Sequence, residues 1–207
     1  NHNTVVTLIS SFPFAINWSA QHVPAIVHLT QCSQELGNAL ADVLFGDYNP
    51  AGRTTQTWVS DILDLPNMLD YDIRHGRTYM YAKAKPIFPF GYGLSYTTFK
   101  YSKLKVRKED GKYIVTFKLK NTGSRDGEEV VQIYARFKGD DASKRLRGFE
   151  RVAVKAGETV PVEIVIPAED LKLWDADAHQ WAFRGKKVKL LVGASSADIR
   201  LKKSVKL

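Results

Sequence analysis

Pro86-Ile87-Phe88-Pro89-Phe90-Gly91-Tyr92-Gly93-Leu94-Ser95-Tyr96-Thr97-Thr98-Phe99 decides how this chain is read. Five aromatic residues sit among two prolines and two glycines, and none of the fourteen residues is charged. Pro86 and Pro89 each fix φ and push the preceding residue towards extended geometry. Gly91 and Gly93 flank Tyr92 and permit backbone angles that a side chain would forbid. Helix and regular mid-sheet strand are both disfavoured. The expected state is an extended aromatic strap whose rings lie against something larger. Residues 1–98 carry 5 Lys/Arg against 7 Asp/Glu and read as α/β, whereas residues 99–207 carry 25 against 15 and read as β only. The strap is the joint between them.

At 207 residues and 44% hydrophobic content the chain has room for one or two domains with real cores. The net charge of +8 falls in the second half. It fits either a polyanion surface or the lysine-rich solvent face of a sandwich. No base-reading motif accompanies it, so no nucleic-acid partner is expected. Cys32 is the one cysteine, which excludes an internal disulfide and leaves the redox compartment open. No run approaches the roughly 18 apolar residues of a membrane span, so no membrane partner is expected. There is no initiator Met and no signal segment: Asn1-His2-Asn3-Thr4 leads straight into an apolar run, as a fragment would begin.

Val5-Val6-Thr7-Leu8-Ile9 has the continuous apolar character of a strand covered on both faces. Phe14-Ala15-Ile16-Asn17-Trp18 follows Pro13 and reads as a second short strand, and Ala25–Leu29 as another. The clearest helix then begins, with Ser33 as N-cap, Glu35 in the first turn, and Leu36, Leu40, Val43 and Leu44 as one apolar stripe. Gly46 stops it, and Asp47-Tyr48-Asn49-Pro50-Ala51-Gly52 is turn chemistry. Two or three strands and one helix cannot cover a parallel sheet, so residues 1–65 read as the tail end of an α/β domain.

Asp47-Tyr48-Asn49-Pro50-Ala51-Gly52-Arg53, Gly76-Arg77-Thr78-Tyr79 and Pro89-Phe90-Gly91-Tyr92-Gly93-Leu94-Ser95-Tyr96 occur in that order. Together they resemble the C-terminal third of a glycoside hydrolase family 3 enzyme. The resemblance runs along essentially the whole chain. It implies a (β/α)8 barrel and an α/β sandwich domain upstream, then a fibronectin type III-like domain. Residues 1–65 become the end of the α/β sandwich, 66–98 an aromatic connector and 99–207 the fibronectin-like domain. The helix start reads Cys32-Ser33-Gln34-Glu35-Leu36-Gly37, where the family has Pro-Gly-Gln-Glu-Gly-Gly. The Gly-Arg-Thr-Tyr form is closer to the β-xylosidase branch than to many β-glucosidases.

Beyond residue 99 alternation sets in. Tyr113, Val115, Phe117 and Leu119 point one way, and the same period returns at Val131, Ile133 and Ala135, at Val160, Val162, Ile164 and Ile166, and at Val188, Leu190 and Val192. With turns at Asn121-Thr122-Gly123, Lys138-Gly139-Asp140, Ala156-Gly157 and Arg184-Gly185, this is an antiparallel, immunoglobulin-like β-sandwich. Pro161 marks its strand as an edge. Leu171-Lys172-Leu173-Trp174-Asp175 resembles the family's Leu-x-x-Trp-Asp corner, whose indole is expected to plug one end of the core. Ser195–Ile199 resembles its last turn and strand.

Glycoside hydrolysis needs two carboxyl groups. The resemblance places the nucleophilic Asp and the acid/base Glu upstream of Asn1, so no catalytic residue is expected within the chain. Substrate-binding residues stay open. Asp72, Arg74, His75 and Arg77 either line a sugar cleft or clamp a long connector to the body. Glu35 fits helix capping better than catalysis, and Asp47 an Asx-type cap. Glu128, Glu129, Asp140 and Asp141 read as strand-end and loop acids. His28 with Cys32 is the one close metal-like pair; lacking a third ligand, no metal site and no cofactor are expected. Gly91 and Gly93 precede no helix and form no phosphate loop. The resemblance implies a retaining exo-β-glycosidase, of β-glucosidase or β-xylosidase type, acting on a β-glycoside or oligosaccharide. It further implies a periplasmic or secreted location, the upstream barrel and remaining sandwich as partners, and room for a homodimer. The other reading is a non-catalytic sugar- or polyanion-binding sandwich, with Lys144, Arg145, Arg147, Arg151, Lys186, Lys187 and Lys189 as its cations.

Overall fold

The computed structural model describes residues 1–31 and 34–207. Strands β1 (Val5–Ile9) and β2 (Ala25–Leu29) pair in parallel, from Val5 opposite Ala25 to Ile9 opposite Leu29. The strand expected over Phe14–Trp18 does not form. Phe14, Ala15 and Ile16 take up no regular element, helix α1 (Asn17–His22) begins at Asn17, and Trp18 stacks on His22 with ring centroids 4.7 Å apart. Residues four apart share a helix face, and that contact outweighs the local alternation. Helix α2 (Leu36–Phe45) carries the expected stripe and ends at Gly46, which is left-handed at φ +87°. The expected N-cap Ser33 and the metal-like Cys32 lie outside the described residues. Glu35 flanks the first turn without capping the backbone; its carboxylate accepts from the Asn38 amide.

Neither α1 nor α2 has a fully buried residue, and Val5, Ile9, Phe12, Trp18 and Phe45 are all exposed. An apolar surface of this extent on both sides of a two-stranded sheet is what a larger α/β layer would cover. The connector adds short 3₁₀ turns at Ile62–Asp64 and Ile73–His75, helix α3 (Thr78–Tyr81), and a bridge pairing Trp58 with Phe88. No helix among the described residues is long and apolar enough to cross a membrane.

The second part is a sandwich of β3 (Phe99–Glu109), β4 (Lys112–Asn121), β5 (Gly127–Phe137), β6 (Arg145–Val154), β7 (Thr159–Pro167), β10 (Lys187–Gly193) and β11 (Ile199–Lys206). A hairpin of β8 (Leu173–Asp175) and β9 (Gln180–Ala182) stands apart from the two sheets. The sheets run β3-β4-β7 and β11-β10-β5-β6, all antiparallel. Pro161 lies on the edge strand β7, as its missing N–H requires. Alternate residues meet between the sheets: Val115, Leu119, Val131, Ile133, Ile166, Leu190 and Val192 are fully buried.

Two departures from simple alternation matter. Gln132 and Tyr134, on the outward face of β5, are also buried, because the connector lies over them. Trp174 does not plug the core. It sits opposite Trp181 across the β8–β9 hairpin, the rings 5.7 Å apart and edge to face, and both indoles are exposed. Leu171 and Leu173 fill the core end in its place.

Candidate functional site at the joint

The three motifs converge where the α/β part meets β5. Asn49 in the turn after α2 donates from Nδ2 to the Asp126 carbonyl (2.8 Å), and its Oδ1 accepts from Ser95 Oγ (2.9 Å) and the Tyr96 N–H (2.8 Å). One amide therefore ties turn, strap and sandwich together. Tyr96 Oη donates to the Val43 carbonyl at the end of α2 (2.6 Å), and Arg125 reaches back from the sandwich to the Gly46 carbonyl. The Asp47 carboxylate, by contrast, makes no hydrogen bond or ion pair among the described residues, so the Asx-type cap expected of it does not form.

Arg53 ends the first motif and pairs with Glu129 of β5 at 3.1 Å; their side chains are 8% and 5% exposed. Burial pushes the Glu129 carboxyl up, and the Arg53 guanidinium partly offsets it. Deeper in, Gln132 donates from Nε2 to the carbonyls of Gly91 (3.0 Å) and Ala194 (2.8 Å), while its Oε1 accepts from Tyr134 Oη (2.5 Å). The strap glycines are explained by approach. A Cβ on Gly91 would lie 2.1 Å from Gln132 Oε1, and one on Gly93 would lie 2.2 Å from the Gly52 carbonyl oxygen. Thr54 closes the other side: its N–H donates to the Tyr92 carbonyl, its carbonyl accepts from Gly91, and its hydroxyl donates to the Pro89 carbonyl. Backbone polar groups of an extended strap need such partners, and here nearly every one comes from another segment.

Arg77 and Tyr79 belong to the second motif. Arg77 donates to the carbonyls of Asp70 (3.0 Å) and Asn67 (2.8 Å). Tyr79 stacks on Phe90 at 4.6 Å, meets Tyr134 edge-on at 5.7 Å, and accepts the Leu146 N–H. Arg74 grips Asp72 with its guanidinium fork, Asp72 caps the turn Ile73–His75, and His75 Nδ1 lies 2.7 Å from Asp70 Oδ2. These bonds all run within the connector, so they fold its turns on themselves and do not tie it to the body. His75 lies between two carboxylates, 2.7 Å from that of Asp70 and 3.8 Å from that of Asp72. A hydrogen bond from His75 lowers the pKa of the Asp70 carboxyl, and bonds from Arg74 hold that of Asp72 well below the usual carboxylate range. A glycosidase pair needs one member with a raised pKa, able to donate a proton. Neither carboxylate is such a donor.

A cavity of about 370 Å³ lies behind the connector, lined among others by Thr57, Val59, Leu65, Arg77, Met80 and Phe90. Its walls are mostly apolar and Arg77 is already committed. His28 Nε2 lies 3.2 Å from both Ser10 Oγ and the Ser10 carbonyl, and its ring meets Trp58 edge-on. Among the described residues no three His, Cys, Asp or Glu come together as a metal site. Several of the basic residues singled out earlier are engaged or partly covered. Arg145 pairs with Asp140 at 2.8 Å, Arg151 pairs with Glu128, and Lys144 and Arg147 are half-buried. Sequence reasoning missed Glu129 and Gln132. The available signal was two polar residues inside the otherwise apolar run Glu129-Val130-Val131-Gln132-Ile133.

Residues 1–96 match the glycosyl hydrolase family 3 C-terminal domain, and residues 129–196 match a fibronectin type III-like domain. The chain is 41% identical to a xylan 1,4-β-xylosidase of Xylanibacter ruminicola, over 94% of this chain and 23% of that protein. It is 34% identical to a periplasmic β-glucosidase of Salmonella typhimurium, over 95% and 28%. The crystal structure of β-glucosidase from Kluyveromyces marxianus superposes on the whole chain with a TM-score of 0.92 at 33% identity, covering 27% of that chain. The chain thus spans about a quarter of the length of these relatives.

Proposed function

The chain belongs to glycoside hydrolase family 3, as that family's C-terminal domain followed by a fibronectin type III-like domain, and from that premise we propose that it is the C-terminal part of a retaining exo-acting β-glycosidase. In this reading the whole protein removes terminal β-linked sugar from an oligosaccharide or β-glycoside. An upstream (β/α)8 barrel and the remainder of the α/β sandwich supply the nucleophilic Asp and the acid/base Glu. The present segment is a brace. The observation that supports this role is the set of contacts Arg53–Glu129, Gln132–Gly91 and Tyr79–Tyr134, which ties the turn after α2 and the connector to the sandwich while apolar residues of β1, α1 and α2 stay exposed. Xylose is favoured over glucose as the sugar by the Gly76-Arg77-Thr78-Tyr79 form and by the likeness to a xylan 1,4-β-xylosidase. A periplasmic or secreted location goes with the likeness to a periplasmic relative.

The test is hydrolysis of 4-nitrophenyl β-xyloside and β-glucoside by the longer polypeptide carrying this chain at its C-terminus. Turnover is expected, faster on the xyloside. No turnover of either substrate would overturn the assignment, and a strong preference for the glucoside would overturn the choice of sugar.

A further inference from the structure

The two sheets of the sandwich present very different outer faces. That of β11-β10-β5-β6 is partly covered by the connector, through Tyr79 on Tyr134 and Gly91 on Gln132. That of β3-β4-β7 is open. The register places Lys100 directly opposite Lys120, Ser102 opposite Lys118, Lys105 opposite Thr116, Arg107 opposite Ile114, and Glu109 opposite Lys112. On the third strand the same rows meet Thr159, Pro161, Glu163, Val165 and Pro167. Five lysines (100, 105, 112, 118 and 120) are therefore exposed on one sheet face with one arginine. Among the described residues none of the five lysines makes an ion pair; the one pair on the face is Arg107–Glu109.

A Lys–Lys pair directly opposed across two strands is repulsive, and Lys118 lies one row from it on the same face. The fold does not require this arrangement, since Thr or Gln would serve as well on an exposed strand. Alternate residues along a strand repeat at roughly 6.6–6.8 Å and neighbouring strands at about 4.8 Å, so the cations form a flat grid, not a groove. The face carries no aromatic side chain: its uncharged members are Ser102, Ile114, Thr116, Thr159, Pro161, Val165 and Pro167. Single-stranded nucleic acid is held by aromatic stacking as well as charge, so that partner is not the one this surface fits.

We propose that the outer face of β3-β4-β7 is a docking surface for a carboxylate-bearing polysaccharide, with Lys100, Lys118 and Lys120 as its centre. The choice of a glycan rests on the glycosidase reading above. The role is to hold the protein on acidic polymer near its neutral substrate, by a salt-sensitive contact that leaves catalysis untouched.

The experiment is native electrophoresis of the whole chain through gels containing polygalacturonate, neutral arabinoxylan or single-stranded DNA. Two triple variants accompany it. Lys100→Gln/Lys118→Gln/Lys120→Gln alters the face, while Lys138→Gln/Lys186→Gln/Lys187→Gln removes the same charge from exposed positions elsewhere. Polygalacturonate is expected to retard the parent strongly at low salt and neutral arabinoxylan not at all. The face variant is expected to lose about tenfold in affinity and the control less than about twofold, because exposed charges act over a Debye length and not across the molecule. Equal loss in both variants, no retardation of the parent, or tighter binding to DNA than to polygalacturonate would each overturn the proposal. Hydrolysis of 4-nitrophenyl glycosides by the longer polypeptide is scored separately, so a failed docking surface and a failed enzyme assignment give different results.

Discussion

Replacing Arg53 by Ala tests the joint at its most buried charge. Glu129 is 3% exposed as a residue and its partner side chain 8%, so the pair at 3.1 Å is interior, not superficial. At an effective dielectric of about 20 the attraction at that separation is about 5 kcal/mol, and removing one partner of a buried pair typically costs about 3–5 kcal/mol because the other charge is stranded. The pH dependence has a definite sign. Glu129 already sits above its ordinary value of 4.5 through burial, with Arg53 pulling it down; without Arg53 it rises further. A carboxyl whose folded pKa is raised stabilises the fold below the unfolded value and loses that contribution as pH climbs through the folded one. The deficit of Arg53→Ala therefore grows as pH rises and shrinks as pH falls towards 4.5. Guanidinium unfolding, followed by the fluorescence of Trp58 and the other three tryptophans across that range, reads it directly. Arg53→Met/Glu129→Leu should recover most of the loss. A deficit below about 1 kcal/mol at pH 7, the value of an exposed pair, would refute the reasoning, as would a deficit that does not change with pH.

Gly91→Val places a branched side chain at φ +79° against Gln132 Oε1. The backbone strain alone costs about 1–3 kcal/mol, and a lowered melting temperature with faster amide exchange over residues 86–99 should record it. Trp174→Ser with Trp181→Ser changes stability by no more than about 0.5 kcal/mol per site, as expected for exposed positions; a core plug would cost about 3–5 kcal/mol per indole. Burial raises the pKa of Tyr101 and of Tyr134 well above the ordinary tyrosine range. Both should stay un-ionised in an ultraviolet titration until the fold melts. Their contribution is complete below about pH 10 and is lost above it.

Much of this architecture is legible in the residues, and the parts that are not share a cause. Period-two alternation exposes the sandwich because both of its sheets face one core, and Pro161 betrays an edge because proline cannot donate to a ladder. The strap reads as extended because two prolines and two glycines forbid the alternatives. Trp174 misleads because alternation gives the period of a strand but not its phase. Opposite Trp181 on a two-stranded hairpin it turns outward, and Leu173 turns in. Residues 14–18 mislead because a five-residue apolar alternation is shorter than the helix contact that competes with it. The joint itself is hidden, since Arg53 and Glu129 lie 76 positions apart and Gly91 and Gln132 lie 41 apart. Motif order says that these segments matter; only the fold says that they touch. The connector's Asp72, Arg74, His75 and Arg77 allow two readings in sequence, and the fold shows them bonded to one another and to their neighbours within the connector.

We propose that this segment braces a glycosidase without performing its chemistry. Release of 4-nitrophenol from the β-xyloside, measured on the purified 207-residue chain beside the longer polypeptide that contains it, tests this most directly. The account predicts turnover by the longer polypeptide and none above buffer by the chain. Turnover by the chain alone would contradict it.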